Sequence, residues 1–359
     1  MTQYIIRRLV AAIPVIFGVL FVTFVLARLI PGDPCTAILG EKATPEVCAQ
    51  FNEEKGLNEP IPVQFAIYLK DVFSGDFGES IRFKRPVSQI LIERLPITLE
   101  LGMTALILAL IVGIPSGIIS AVRRNSAIDV TTMVFANIGV SMPVFWLGLM
   151  LQYVFALLLK NTIFAMPPSG RLSPGTEVIP FYVAFGWQLQ EGSFMAKFSE
   201  FLGNFYIFNS FITGDWLVLL DALKHLFLPA VALSTISMAI IARMTRSSML
   251  EVLGLDYIRT AKAKGLDQRS VVLKHAFRNA LLPIVTIAGL QFGLVLSGAI
   301  LTETVFGLSG VGRSLYEAIT ARDYPIIQGF VVVISCGYVL VNLLIDLSYA
   351  YLDPRIRLD

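Results

Sequence analysis

Six runs of predominantly apolar residues recur along this 359-residue chain, each near the roughly 20 residues that a helix needs to cross about 30 Å of hydrocarbon. They cover approximately Leu9–Leu29, Ile97–Val122, Thr131–Leu159, His225–Ala242, Leu281–Leu301 and Ile327–Tyr349. Few folds are open to such a chain, because backbone N–H and C=O groups in lipid must find partners within the protein, and a helix supplies them internally. Composition closes off the soluble alternative of buried helices: 55% of residues are hydrophobic, 15% are charged, and the mean hydropathy is +0.73, well outside the range of soluble domains. Pro14, Pro115, Pro143 and Pro229 lie inside the runs, where neighbouring helices can re-satisfy the carbonyls they free. The expectation is an all-α integral membrane protein with six transmembrane helices.

Orientation follows from Lys and Arg, which accumulate in cytoplasmic links. With both termini cytoplasmic, segments 1–8, 123–130, 243–280 and 351–359 are inside and carry 14 basic residues in 63 positions. Segments 31–97, 160–224 and 302–326 are then outside and carry 13 in 157. The inner density is more than twice the outer, so this orientation is preferred. Arg7 and Arg8 resemble the start of a signal peptide, but the run that follows is too long and lacks a small-residue cleavage site. It is read as an anchor.

Two outer segments are long enough for structure of their own. The first, 31–97, opens on Pro31-Gly32-Asp33-Pro34 and has a second turn cluster at Ser74-Gly75-Asp76-Phe77-Gly78; these residue types punctuate helices and strands. It also holds Cys35 and Cys48, for which a disulfide and two free thiols are both open readings. Cys336 lies within the last run as a small packing residue. The second segment, 160–224, contains an aromatic-rich stretch, Phe198–Leu220, with the length of a seventh crossing. Asn204, Asn209, Thr213, Gly214 and Asp215 are costly in lipid, and a seventh crossing would put the basic 243–280 link outside. The segment is therefore expected to be an external insertion with helices partly resting on the membrane, its aromatic residues Phe181, Tyr182, Phe185 and Trp187 suited to docking or to that resting.

Little in the chain can do covalent chemistry. There are two histidines, His225 and His275, no Cys/His cluster with metal-ligand spacing, and no Gly-Lys dipeptide, so a phosphate-cradling loop of that type is absent. Gly307-Leu308-Ser309-Gly310 matches the G-x-S-G of rhomboid-type intramembrane proteases. A serine nucleophile needs a base, and no histidine follows position 275, so a glycine-rich turn is the better reading. An ion-driven carrier would bury ionisable groups near the midplane; Arg28, Glu100 and Asp346 instead lie near span ends, where snorkelling or pairing accounts for them. The energy source is expected outside this chain, and a secondary carrier or channel is the alternative class.

The segment Arg243–Pro283 carries eight of the 28 Lys and Arg residues. Its middle, Leu253–Lys264, favours a helix, Gly265 breaks it, and Asp267 stands where the next helix would be capped. That second helix, 268–282, runs into Pro283 at the start of the fifth span. Helix, glycine turn and helix predict a compact knob held between two spans on the cytoplasmic side.

Here the sequence resembles a known family. Asp256-Tyr257-Ile258-Arg259-Thr260-Ala261-Lys262-Ala263-Lys264-Gly265, followed by His275-Ala276-Phe277-Arg278-Asn279-Ala280-Leu281-Leu282-Pro283, is similar to the EAA loop of ABC importer permeases of the dipeptide, oligopeptide and nickel group. Ile30-Pro31-Gly32-Asp33-Pro34, Gly75-Asp76-Phe77-Gly78-Glu79-Ser80, Ser141-Met142-Pro143-Val144-Phe145-Trp146, Leu301-Thr302-Glu303-Thr304-Val305-Phe306 and Asp353-Pro354-Arg355-Ile356-Arg357 carry the likeness along nearly the full length. Arg259 and Thr260 stand where the general consensus has Glu and Ala, and Pro283 lies further from Gly265 than in sugar permeases. Both departures resemble the peptide branch.

The resemblance implies a type I ABC importer permease fold, with an N-terminal helix and external segment over 1–95, a permease domain over 96–350 and a cytoplasmic tail over 351–359. It implies a transport subunit, not an enzyme, in the cytoplasmic membrane of a bacterium or archaeon. The expected partners are a homologous second permease, two ATPase subunits that bind the ATP and Mg, an external substrate-binding protein, a peptide substrate and membrane lipid; no nucleic acid and no cofactor or metal of this chain's own are implied. The ATPase-coupling residues it points to are Glu251, Asp256, Tyr257, Arg259, Thr260, Ala261, Lys264 and Gly265. Other basic residues of the link suit topology and lipid headgroups. Candidates for the translocation path are the span polar residues Asn137, Ser141, Gln291 and Ser297, for which helix packing is an equal explanation. Nickel chelates or oligosaccharides are alternative cargoes for the same machinery.

Overall fold

The computed structural model describes residues 2–29, 35, 43–54, 56–190 and 192–352. The Pro31–Pro34 turn and the Asp353–Arg357 segment lie outside the described residues. The chain divides into two compact units, residues 1–95 with 313–343, and residues 96–312 with 344–358. The first of these units joins the opening 95 residues to 313–343.

The first unit contains α1 (Thr2–Leu29), α2 (Pro45–Glu54), α3 (Ile61–Phe73) and the start of α4 (Val87–Val122). Phe17, Phe21 and Phe24 of α1 surround Phe65 of α3 at ring centroid distances of 5.5, 5.7 and 5.0 Å. The edge-on arrangement suits the ring quadrupoles. Much of the rest of α1 is apolar and exposed, including Ile6, Leu9, Val10 and Ile13, as expected of a helix whose solvent is lipid. Cys35 and Cys48 are joined as a disulfide with their Cα atoms 5.4 Å apart. The loop after α3 is tied to buried Asp323, whose Oδ2 accepts from Ser80 Oγ at 2.6 Å and Arg82 N at 3.0 Å.

The second unit is built on α10 (Trp216–Leu253). Before it come α5 (Ala127–Ser141), α6 (Val144–Gln152, running into a π-helical stretch Tyr153–Leu158), α7 (Phe181–Ala184), α8 (Phe194–Gly203) and α9 (Tyr206–Thr213). After it come α11 (Asp256–Ala263), α12 (Gln268–Ser270, continued by a π-helical stretch Val271–Phe277) and α13 (Arg278–Val305). Two helices complete the chain, α14 (Val311–Ala321) and α15 (Tyr324–Leu352). In its most apolar window α10 is 67% buried, against 17% for α1, so α10 is an interior pillar, packed on α13, α5, α6 and α9. Close approach to α4 is permitted by Gly113 and Gly117: a Cβ at Gly117 would stand 2.5 Å from the Ala242 carbonyl oxygen, and one at Gly113 2.9 Å from that of Met238. This is the small-xxx-small device of helix packing in lipid.

Among the described residues five helices are long and apolar enough to cross a membrane, and the α5–α6 pair makes a sixth if both arms form one span. That pair corrects the expectation of a continuous span over 131–159, because its arms are bent by 101°. The cause is local: Pro143 lacks an N–H and drives the preceding residue out of the α region, and Met142 is extended at φ −84° and ψ 127°. Pro96, Pro115, Pro229 and Pro283 instead lie inside helices.

The 160–224 insertion is not a loose appendage. Phe198–Leu220 is divided among α8, α9 and α10, with Gly214 at φ +73° ending α9 and Asp215 capping α10 through Val218 N at 3.1 Å. The helix that contains the fourth apolar run, α10, accordingly starts at Trp216, earlier than that run alone suggests. Arg171 binds Glu100 Oε2 at 2.8 Å and the Asn204 carbonyl at 2.7 Å, and lies 3.5 Å from the Tyr206 ring centroid. Ile207 N donates to Glu100 Oε1 at 2.7 Å. Buried Asn209 accepts from Phe181 N and donates to the Ile179 carbonyl at 2.7 and 2.9 Å. Phe181 is itself buried beside Tyr182, Trp187 and Phe208, so of the four aromatics suited to docking it is a core residue, while Phe185 and Trp187 remain exposed. Burial, then the Glu200 carboxylate, push the Tyr182 phenol above its ordinary pKa.

Candidate functional site

Gly254 ends α10, Leu255 is extended at ψ 149°, and α11 starts at Asp256. Eight residues is too short for a helix to be stable alone in water, so packing must hold it. Ile258 and Ala261, one turn apart on one face, are buried among Met249 and Val252 of α10 and Val271, Val272 and Ala276 of the π-helical stretch. Full burial of a side chain like Ile258 contributes about 1.5–3 kcal/mol.

Gly265 then reverses the chain at φ +77° with nothing within 4 Å of a hypothetical Cβ, a backbone state that glycine reaches without steric cost. The Asp267 side chain accepts from Ser270 N at 3.1 Å and caps α12. The π-helical continuation takes up one extra residue per turn and feeds directly into α13. The second helix therefore runs past the expected Leu282 without interruption.

With Ile258 and Ala261 turned inward, the opposite face of α11 is free. Asp256, Arg259, Thr260, Lys262 and Lys264 are exposed, as is Glu251 on the last turn of α10. Tyr257 is exposed and its OH donates to the His275 carbonyl at 3.3 Å. Thr260 Oγ1 donates to the Asp256 carbonyl at 3.0 Å. The Arg259–Asp256 pair at 3.4 Å has side chains 77% and 95% exposed; such pairs contribute little to stability, so both charges remain available to a partner. Ala261 belongs to the loop but holds it instead of presenting it.

The other candidates lie on α5 and α13. Asn137 and Ser141 are exposed on α5, Ser141 Oγ donating to the Asn137 carbonyl at 2.9 Å. Gln291 is buried on α13 with Oε1 unpartnered. Ser297 is on the same helix, but its side chain lies outside the described residues. The Gly307–Gly310 stretch is a turn: Gly307 has φ +65°, Leu308 is buried, and beside it Thr98 Oγ1 donates to buried Glu303 at 2.6 Å. Missed from sequence was buried Asp129 with Arg246 of α10, at 2.7 Å through both Nε and Nη2. Ser126-x-x-Asp129 is a helix-start signature, and Ser126 does cap α5, but that spacing says nothing of a partner 117 residues away.

Two family models span the chain. Residues 113–358 match the binding-protein-dependent transport system inner membrane component, and residues 1–102 its N-terminal companion. The chain belongs to this family of membrane components. It is 45% identical to the dipeptide transport system permease protein DppB of Alkalihalophilus pseudofirmus, over 99% of this chain and 100% of that protein. It is 44% identical to DppB of Escherichia coli K12, over 99% of each, and 40% identical to the di/tripeptide transport system permease protein DppB of Pseudomonas aeruginosa, again over 99% of each.

Proposed function

We propose that this chain is a permease subunit of an ATP-driven importer that carries dipeptides or short oligopeptides across the cytoplasmic membrane. The observation that carries this reading is α11: a short helix fixed on one face by Ile258 and Ala261, with polar side chains on the other, joined through short turns to two candidate spans. Supporting it are the family membership and the relatives, whose names specify dipeptide or di/tripeptide transport.

In this reading the six crossings count α5 and α6 as one broken span, both termini are cytoplasmic, and the 31–97 segment and 160–224 insertion are external. The second permease completes the path, two ATPase subunits bind ATP and Mg, and an external binding protein delivers cargo. The exposed side chains of α11 seat in one ATPase. When the ATPases close on ATP, a displacement of α11 passes through Ile258 and Ala261 into α10 and α13, and the spans rock about their packed interfaces. The chain supplies no bond-making chemistry of its own; it binds, moves and releases.

Reconstitution with the companion subunits in proteoliposomes tests this. ATP-dependent uptake of a labelled dipeptide is expected, competed by unlabelled di- and tripeptides but not by nickel chelates or oligosaccharides. A Thr260→Cys protein should crosslink to an ATPase subunit. Uptake without ATP or without those subunits would overturn the reading.

A further inference from the structure

Three helices of the second unit meet on one carboxylate. Asp129, in the first turn of α5, is buried and accepts four hydrogen bonds. Ser120 Oγ on the last turns of α4 donates to Oδ1. Asn125 N, in the four-residue turn between α4 and α5, donates to Oδ2 at 2.9 Å. From α10, Arg246 Nε donates to Oδ1 and Nη2 to Oδ2, both at 2.7 Å. Asn125 has φ +60°, a left-handed conformation that asparagine tolerates better than most residues, and this brings its N–H onto the carboxylate.

The arrangement is more than is needed to hold helices together. Buried ion pairs are often no more stabilising than apolar side chains of similar volume, and in some proteins what they add is geometric definition. A planar guanidinium on a planar carboxylate fixes orientation as well as distance. Asp129 is buried and Arg246 is partly buried against it. Their position suits transmission. Arg246 is two turns before the end of α10 at Leu253, where α11 follows. On the same stretch, Thr245 lies against Gly117 of α4 so closely that a Cβ there would be 2.5 Å from Thr245 Cβ.

We propose that Asp129 and Arg246 are positioning residues for transport: a clamp that locks the inner ends of α4 and α5 to α10, so that a displacement of α11 is delivered to three helices at once. Without it, α10 would move against its neighbours and nucleotide-driven motion would be lost as slippage. This rests on the importer reading above.

The test uses the complete complex with binding protein, in proteoliposomes, and measures dipeptide transported per ATP hydrolysed for each assembled complex. Asp129→Asn and Arg246→Gln should continue to hydrolyse ATP while that ratio falls roughly five-fold or more, within the usual range of coupling effects. Arg246→Lys keeps the charge but loses the two-point geometry, and should fall between them and the parent. The double variant should be no worse than either single one, because the pair acts as a unit. Where Asp129→Asn assembles poorly, Arg246→Lys and Ser120→Ala decide. An unchanged ratio in complexes that assemble, whether in normal or reduced amount, overturns the clamp and leaves a purely structural pair. A parent complex whose uptake ignores ATP removes the importer reading instead, and the clamp with it.

Discussion

Gly265 stands at φ +77° between the α11 helix and the Asp267 cap, and its neighbourhood is open. Strain there is therefore a matter of backbone alone. A β-branched residue costs about 1 kcal/mol or more in that region, and Gly265→Val should mis-seat α11, lowering uptake while expression and capture of substrate by the binding protein persist. Normal uptake by the variant would dismiss the role. Ile258 tests the same helix from beneath. Ile258→Ala should cost about 2–5 kcal/mol of local stability and show as faster amide exchange across α11, with the spans unaffected. The turn and cap at this site were legible because glycine and aspartate act on their own neighbours. The Asp129–Arg246 clamp was not, since its partners are 117 positions apart and no local pattern links them.

At the scale of elements, two contacts determine whether helices sit where they do. Gly117→Val drives a side chain into the Ala242 carbonyl oxygen and Thr245, and overpacking of a fitted interface costs about 1–3 kcal/mol. A lower Tm of the purified permease is expected, whereas Gly337→Ala, with nothing within 4 Å, should leave it unchanged; equal behaviour would mean that α4 and α10 do not approach so closely. In the insertion, Arg171→Met strands the Glu100 carboxylate, whose side chain is 9% exposed. Removing one partner of such a pair costs about 3 kcal/mol or more, so limited proteolysis should cut 160–224 faster, and an unaltered digestion pattern would deny the anchoring. Helix type was readable from apolar runs, but helix ends were not. Composition marks the length that lipid demands, while α10 begins at Trp216 because Gly214 and Asp215 terminate and cap. The break at Pro143 was hidden for a related reason: Pro115 and Pro229 sit inside unbroken helices, and the surroundings that permit this are tertiary.

For the whole molecule, the class of protein was legible in hydropathy, because long apolar helices follow from solvation by lipid; the charge asymmetry of the links bears on sidedness alone. Sidedness is open to a direct measurement. Lys262 is exposed on α11, and a cysteine placed there in a background lacking Cys336 should react with an impermeant maleimide only from the cytoplasmic face. Labelling from outside would invert the proposed topology. Of the chain's own polar span residues, Gln291 is buried, whereas Asn137 and Ser141 are exposed on α5.

The pillar α10 runs 38 residues without a break, about 57 Å at the usual rise per residue. Near its start Asp221 accepts from Ser173 of the 160–224 segment, and α11 follows its end. A rod held at both extremities carries displacement either way: in the proposed importer, whatever settles on the 160–224 segment tugs α11, and whatever grips α11 tilts that segment. In that importer, arrival of cargo and consumption of nucleotide are kept in step by the stiffness of a single helix.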